Sequence, residues 1–325
     1  DHRDLHSFPT RRSSDLESLA DLTGGFGIDC SFLATGFRSA TYVERQAELC
    51  AIAAHNFPAL DLNHISVRND DGVAYLEAMS PVDCIFLDPA RRNEHGGKTV
   101  AISDCEPNVA ELEGLLLSKA NRIMIKLSPM LDLSQALKEL PHTQEVHIIS
   151  VNNECKELLL LLGQTAPEEI PVHCVNLSTK GEQEKQLFVF TREQEQHSEC
   201  SYTDTLGNYL YEPNASLLKA GAFRSIAAAY SVKKLHPNSH LYTSDTQIEG
   251  FPGRTFRIIN RCSLNKKERK ENLSDLKKAN ITVRNFPATV AELRKRIKLA
   301  EGGDTYLFAS TLNDGQKILI RCGKV

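Results

Sequence analysis

The stretch "ADLTGGFGIDC", residues 20–30, decides how the chain is read. An acid, Asp21, closes a short apolar run, and three glycines then fall within four positions, at Gly24, Gly25 and Gly27. Glycine takes backbone angles closed to other residues and leaves the main chain bare to an approaching ligand. If a helix follows, its first N–H groups are unpaired at the same place. Spacing excludes two nucleotide loops. The dinucleotide fingerprint G-x-G-x-x-G fails because Cys30 stands where its third glycine belongs. A Walker loop needs a lysine that is not there.

Working outward, apolar runs alternate with helical patterns from about 17 to 150. "ESLAD" predicts a strand and "GIDCSFLATG" a helix closed by Gly36. "SATYVE" predicts a strand and "RQAELCAIAAHNF" a helix stopped by Pro58. "HISVRN", "VDCIFLDP", "RIMIKLSP" and "EVHIISV" read as strands; "VAYLEAM", "NVAELEGLLLSKA" and "DLSQALKEL" read as the helices between them. Short, fully apolar strands separated by helices imply a parallel sheet covered on both faces, a doubly wound α/β domain. Such sheets bind ligands at the carboxyl ends of their strands. "ECKELLLLL" reads as one more helix, and "VHCVNLS" and "QLFVFTRE" as a late strand pair closing the sheet.

The remaining chain is organised differently. After about 195 the composition turns polar, in "EQEQHSECSYTDTLG". "NASLLKAGAFRSIAAAYSV" is a helical stretch for which Asn214 is a good N-cap. From 254 the pattern is βαβαββ, ending in a hairpin marked by "NDG". The expected division is a doubly wound α/β domain at 17–195, a small segment at 205–250 and a basic α+β domain at 251–325. Residues 1–16, "DHRDLHSFPTRRSSDL", look like translated sequencing adapter and are read as a non-native or disordered tail.

Composition excludes little. The 325 residues are 41% hydrophobic and 25% charged, ordinary for a globular chain. No apolar run approaches the about 18 residues that a membrane span needs. Nine cysteines, an odd number with no CxxC pair, read as reduced thiols of a cytoplasmic protein and speak against a metal site.

The spacing D-x-x-x-G-x-G, Asp21 to Gly27, resembles the first motif of class I S-adenosylmethionine-dependent methyltransferases. Three more acids stand where that family places them: Glu44 ending "TYVE", Asp71 in "VRNDDGVAYL" with Asp70 as its competitor, and Asp88 in "CIFLDPARR". Each alone is also a plausible cap of the next helix. Further segments, "LDPARRNEHGGKTVAISDCEPNV", "IKLSPMLDL", "SVNNECKELLL", "YEPNASLLKAGAFRS", "KKLHPNSHLYTS" and "LRKRIKLAEGGDTYLFA", make the chain similar over 17–325 to a Bacteroidetes family of such enzymes with a ferredoxin-like segment and a THUMP-like C-terminal domain. Members normally carry a helical region before the glycine loop, where this chain has its adapter-like tail. The resemblance implies S-adenosylmethionine as cofactor, held by Asp21, Thr23, Gly24, Gly25, Phe26 and Gly27, with Glu44 on the ribose and Asp71 near the adenine.

The same resemblance puts Asp88 at the transferable methyl. Amino-methylating enzymes of nucleic acids use [DNS]-P-P-[YFW] there; this chain has Asp88-Pro89-Ala90-Arg91, lacking the second proline and the aromatic. Asp88 is the candidate acceptor for a substrate amine. Arg91 and Arg92 either meet a base or phosphate or pair with Glu94 or Asp104. Lys126, ending "IKLSP", either touches substrate or caps Asp88. Cys105 has acids on both sides, which raise a thiol pKa, so it reads as structural rather than nucleophilic.

The net charge of -4 hides an asymmetry. Residues 254–298 hold 14 basic and 4 acidic residues, net +10, which leaves -14 for the rest. A basic module on an acidic domain is the footprint of a polyanion binder, here RNA, with Lys266, Lys267, Arg294 and Arg296 as docking residues; solvated helix faces are the alternative. The expectation is a methyltransferase for a base of RNA. Its rivals are a methyltransferase for a protein or small molecule and a non-catalytic RNA-binding protein.

Overall fold

A computed structural model describes residues 17–91, 101–179 and 185–325. The chain divides into two compact units, one of residues up to 147 with 156–171, the other of 148–155 with 172–325. The first unit alternates strand and helix: β1 (Ser18–Asp21), α1 (Ile28–Leu33), β2 (Ser39–Glu44), α2 (Ala47–Ala59), β3 (Ile65–Asn69), α3 (Gly72–Ala78), β4 (Val82–Leu87), α4 (Val109–Lys119), β5 (Ala120–Leu127) and α5 (Leu133–Glu139). β6 (Thr143–Val151) and β7 (Glu154–Gly163) follow. The strand order is β6-β7-β5-β4-β1-β2-β3. β1 to β5 run parallel, and β7 pairs antiparallel with β5.

Four consecutive residues of β4, Cys84 to Leu87, are buried, as a strand covered on both faces requires. The chain walks outward from β1 through β2 to β3, then returns to place β4 on the other side of β1. That reversal leaves a crevice at the carboxyl ends of β1 and β4, where doubly wound sheets bind ligands. The helices begin where the side chains predict: Asp71, Asn108 and Asp132 each accept from a backbone N–H of the first turn of α3, α4 and α5.

Two expectations are corrected. "ECKELLLLL" is the strand β7, not a helix. A buried strand with both faces apolar has no period to distinguish it from a helix. The deciding signal lies before it: Asn152 and Asn153 both take positive φ, 50° and 64°, the pattern of a tight hairpin turn. Leu158–Leu162 then pair with Leu127–Ile123. Pro58 does not stop α2 but lies in its last turn.

In the second unit β8 (Pro171–Leu177) lies beside the end of β6, and β9 (Lys185–Thr191) beside β8. After α6 (Arg192–His197) come β10 (Tyr209–Pro213), α7 (Ala215–Ala220), α8 (Arg224–Ala229), β11 (Tyr242–Ser244), β12 (Gly253–Cys262), α9 (Lys266–Leu273), β13 (Asn280–Val283), α10 (Val290–Ile297), β14 (Thr305–Thr311) and β15 (Lys317–Lys324). Asn214 caps α7 as expected. β11-β10-β12-β15-β14-β13 form one sheet, edged by the short strand Lys233–Lys234. The sheet therefore runs through both small segments expected from the sequence. Leu210, Leu235 and Leu241 of the one pack with Phe256, Phe308 and Ile320 of the other. Glu212 on β10, 2% exposed, is held by Arg254 on β12 and by Arg284, whose Nη2 lies 2.9 Å from its Oε1. Among the described residues no helix is long and apolar enough to cross a membrane.

Candidate functional site

The glycine loop joins β1 to α1 at the reversal of strand order. Its glycines do different work. A Cβ on Gly24 would overlap the ring of Tyr42, and one on Gly27 would come within 2.8 Å of Phe57. These two let the loop lie down on the buried Tyr42–Phe57 pair. Gly25 is different: φ is +53°, and a Cβ there would meet only the Thr23 carbonyl oxygen, at 3.8 Å. The side of Gly25 where a side chain would stand thus faces open space. Next to it, Phe26 is 67% exposed and Ile28 58%.

Hydrogen bonds tie this loop to three strand ends. Gly25 N donates to Glu44 Oε2 at 2.9 Å, and the Tyr42 hydroxyl donates to the Gly25 carbonyl. Asp88 N donates to Thr23 Oγ1 at 2.6 Å, joining the end of β4 to the loop. Asp21 Oδ1 accepts from Thr23 N at 3.0 Å. The rest of Asp21 is in an unusual state: the residue is 1% exposed, and among the described residues Oδ2 is buried with no hydrogen-bond partner. Burial, with the Asp29 and Asp88 charges adding to it, pushes its carboxyl up to about 7.

Lys126, at the end of β5, lies between two acids. Its Nζ is 2.6 Å from Asp29 Oδ2 and 2.9 Å from Asp88 Oδ2. Burial by itself would lower this ammonium; the two carboxylates outweigh it and raise it above the usual lysine range. Asp88 is raised by burial, with Lys126 opposing. Four ionisable groups therefore gather at the ends of β1, β4 and β5 and the first turn of α1, three acids to one base.

The sequence-predicted residues fall as follows. Asp21, Thr23, Gly24, Gly25, Phe26, Gly27, Glu44, Asp88 and Lys126 all line the carboxyl ends of β1, β2, β4 and β5. Glu44 also accepts from Gln46 N. Asp71 caps α3, accepting from Val73 N and Ala74 N, both on Oδ1, and Asp70 Oδ1 accepts from Asp71 N. Arg92 lies outside the described residues, as does the Arg91 side chain. Cys105 is buried. Sequence reasoning missed Asp29 and Tyr42. Asp29 had one visible signal, an acid in the first turn of the helix after the loop; Tyr42 had none, since an aromatic on a parallel strand reads as core.

In the basic segment, Lys266, Lys267 and Arg296 are exposed. Arg294 is not equivalent: 22% exposed, it donates to the Ala279 and Leu299 carbonyls at 3.4 Å. Arg254 and Arg284 are held by Glu212, and Arg269 by the Leu264 and Arg296 carbonyls. Phe256 is core, and Phe286 packs against a core cluster.

Family comparison matches residues 209–252 to a ferredoxin-like domain and residues 253–324 to a THUMP-like domain. Among solved structures, a Porphyromonas gingivalis W83 protein provisionally described as a methyltransferase is 38% identical, over 95% of this chain and 77% of that one, with a TM-score of 0.86. An rRNA methylase from Streptococcus thermophilus is 13% identical over 46% of this chain and 89% of that one, TM-score 0.35. A Streptococcus mutans protein solved with SAH is 11% identical over 47% and 93%, TM-score 0.34. The last two likenesses are too shallow to bear on this chain. No match was found among curated proteins.

Proposed function

The chain belongs to the family of class I methyltransferases that carry a ferredoxin-like and a THUMP-like domain, and from that premise we propose that it binds S-adenosylmethionine at the glycine loop and methylates a base of RNA. The observation that carries the cofactor reading is the gathering of Gly25, Glu44, Asp21 and Asp88 at the reversal between β1 and β4. The residues fit the group. Gly25 leaves open the space a side chain would fill, Asp21 holds a buried oxygen unsatisfied among the described residues, and a set made of carboxylates suits the hydroxyl and amino donors of a nucleoside.

Glu44 would take the ribose hydroxyls, since each carboxylate oxygen keeps acceptor capacity beyond its one backbone bond. Asp71 Oδ2 would face the adenine while Oδ1 continues to cap α3. S-adenosylmethionine supplies, when bound, a methyl on a sulfonium, open to in-line attack. Asp88 would accept a hydrogen bond from the attacking amine and orient it, which is where positioning lowers the barrier. Burial holds the Asp88 carboxyl above its ordinary range, making it a better proton acceptor than a solvated aspartate.

RNA as substrate rests on the THUMP-like match and on the exposed cations Lys266, Lys267 and Arg296. The first experiment is calorimetric titration with S-adenosylhomocysteine, with NADH as control. Selective binding, abolished by Gly25→Arg, supports the cofactor reading; affinity that survives Gly25→Arg refutes it. Transfer of a tritiated methyl to total RNA then tests the substrate, and label on protein alone favours the rival reading.

A further inference from the structure

The chain Asp29–Lys126–Asp88 is more than the cofactor reading needs. A lysine bridging two acids is a common structural lock, so the question is whether this one is built for a ligand. Three features argue that it is. First, the three side chains come from separate elements, the first turn of α1, the end of β5 and the segment after β4, and meet at the carboxyl edge of the sheet rather than in its core. Second, both acids remain partly open, with side-chain exposures of 42% for Asp29 and 43% for Asp88, while Lys126 is 21% exposed. A lock whose acids face the cleft keeps unused acceptor oxygens there. Third, Asp21 lies within electrostatic reach of all three and keeps one buried oxygen without a partner among the described residues.

An ammonium held 2.6 Å from a carboxylate is the complement of an α-amino acid, which carries one group of each sign on a single carbon. The cleft's excess of acids adds attraction for a ligand with further positive charge. We infer that Asp29 and Lys126 form the seat for the amino-acid end of the cofactor, Lys126 taking the α-carboxylate and Asp29 the α-ammonium. This rests on the cofactor reading above and assigns residues that it leaves unused. It also gives Lys126 a second effect. A lysine turned toward the ligand carboxylate withdraws from Asp88 and leaves that carboxylate for the substrate amine. Cofactor binding would then prepare the acceptor, and the order of binding would be cofactor first.

The test compares two ligands that differ only in the part the seat would hold. S-adenosylhomocysteine carries the amino-acid end; 5′-methylthioadenosine keeps the nucleoside and thioether without it. Affinities for both are measured by calorimetry on the full chain, in wild type, Asp29→Asn and Lys126→Met. The expected result is a loss of about tenfold or more for S-adenosylhomocysteine in each variant, the scale of a charge-assisted hydrogen bond. Affinity for 5′-methylthioadenosine should change less than about twofold. That second affinity also reports whether the variants are folded. Equal loss for both ligands means a structural lock and overturns the inference, as does no loss for either. If wild type binds 5′-methylthioadenosine as tightly as S-adenosylhomocysteine, the seat is refuted while the nucleoside site stands. If wild type binds neither, the cofactor reading itself fails, and the seat with it.

Discussion

Replacing Asp21 by Asn should make the first unit more stable at pH 8 than the wild type, and less distinct from it at pH 5. The carboxyl is buried, Oδ2 has no partner, and its pKa stands at about 7 against an ordinary 3.8. Because the folded-state value is raised, the stabilising contribution is fully present below the unfolded pKa. It is lost as pH rises through the folded one. Across that window each pH unit removes about 1.4 kcal/mol, so from pH 5 to pH 8 the wild type should lose about 2.5 kcal/mol through this group. Asn keeps an oxygen to accept from Thr23 N and carries no proton equilibrium, so the variant should lack this loss. Asp29, Asp88 and Lys126, the charged groups around Asp21, are present in both proteins. Urea unfolding followed by far-ultraviolet circular dichroism is the assay, since the chain has no tryptophan. Stability curves that run parallel from pH 5 to pH 8 would refute the argument and mean that Asp21 is solvated or paired.

Gly24→Ala should destabilise the first unit by about 1–3 kcal/mol through overlap with Tyr42, and Tyr42→Leu should recover part of that loss, read by the same unfolding assay. Gly25→Ala should cost only the left-handed backbone penalty, about 1–2 kcal/mol. Glu212→Gln puts a neutral amide in place of a carboxylate that two part-exposed arginines share and should cost about 1.5–3 kcal/mol in the second unit, with protease cleavage appearing between 205 and 252. Neutralising Lys266, Lys267 and Arg296 together should flatten the salt dependence of RNA binding. On single strands the slope should fall by about 0.7 for each phosphate that is no longer neutralised. Arg294→Gln should instead lower the melting temperature and leave that slope unchanged, because its guanidinium is engaged by the Ala279 and Leu299 carbonyls.

The contrast between Arg294 and its neighbours shows where sequence reading runs out. Charge counted along the chain treats 14 cations as one patch, yet Arg254, Arg269, Arg284 and Arg294 are engaged inside the fold. What separates them is how β12, α9, α10 and the residue after β13 are set against their partners, which no local pattern states. The parallel sheet, by contrast, was legible, because a strand buried on both faces must be apolar at every position, and "CIFL" could satisfy little else. The same property hid β7: once both faces are apolar, a run of leucines carries no period, and only the two asparagines before it announced a hairpin.

The glycine loop shows a finer version of the same limit. Its motif could be read because three glycines beside an acid are rare, but the motif does not say which glycine serves the ligand. Gly24 and Gly27 are demanded by Tyr42 and Phe57, side chains 18 and 30 residues further on in the chain. Gly25 shares a positive φ with Gly27, but of the three it alone has open space where a side chain would stand. Packing thus accounts for two of the three, and what it leaves over is where a binding role must be sought. The same subtraction applies to the acids. Asp71 is accounted for in part by the cap it gives α3, and Glu44 in part by its bonds to Gly25 and Gln46. Asp21 keeps an oxygen for which folding gives no reason, and burying it costs stability. A cost of that kind, placed beside the one glycine that packing does not explain, is the strongest physical argument that this end of the sheet is built around a ligand.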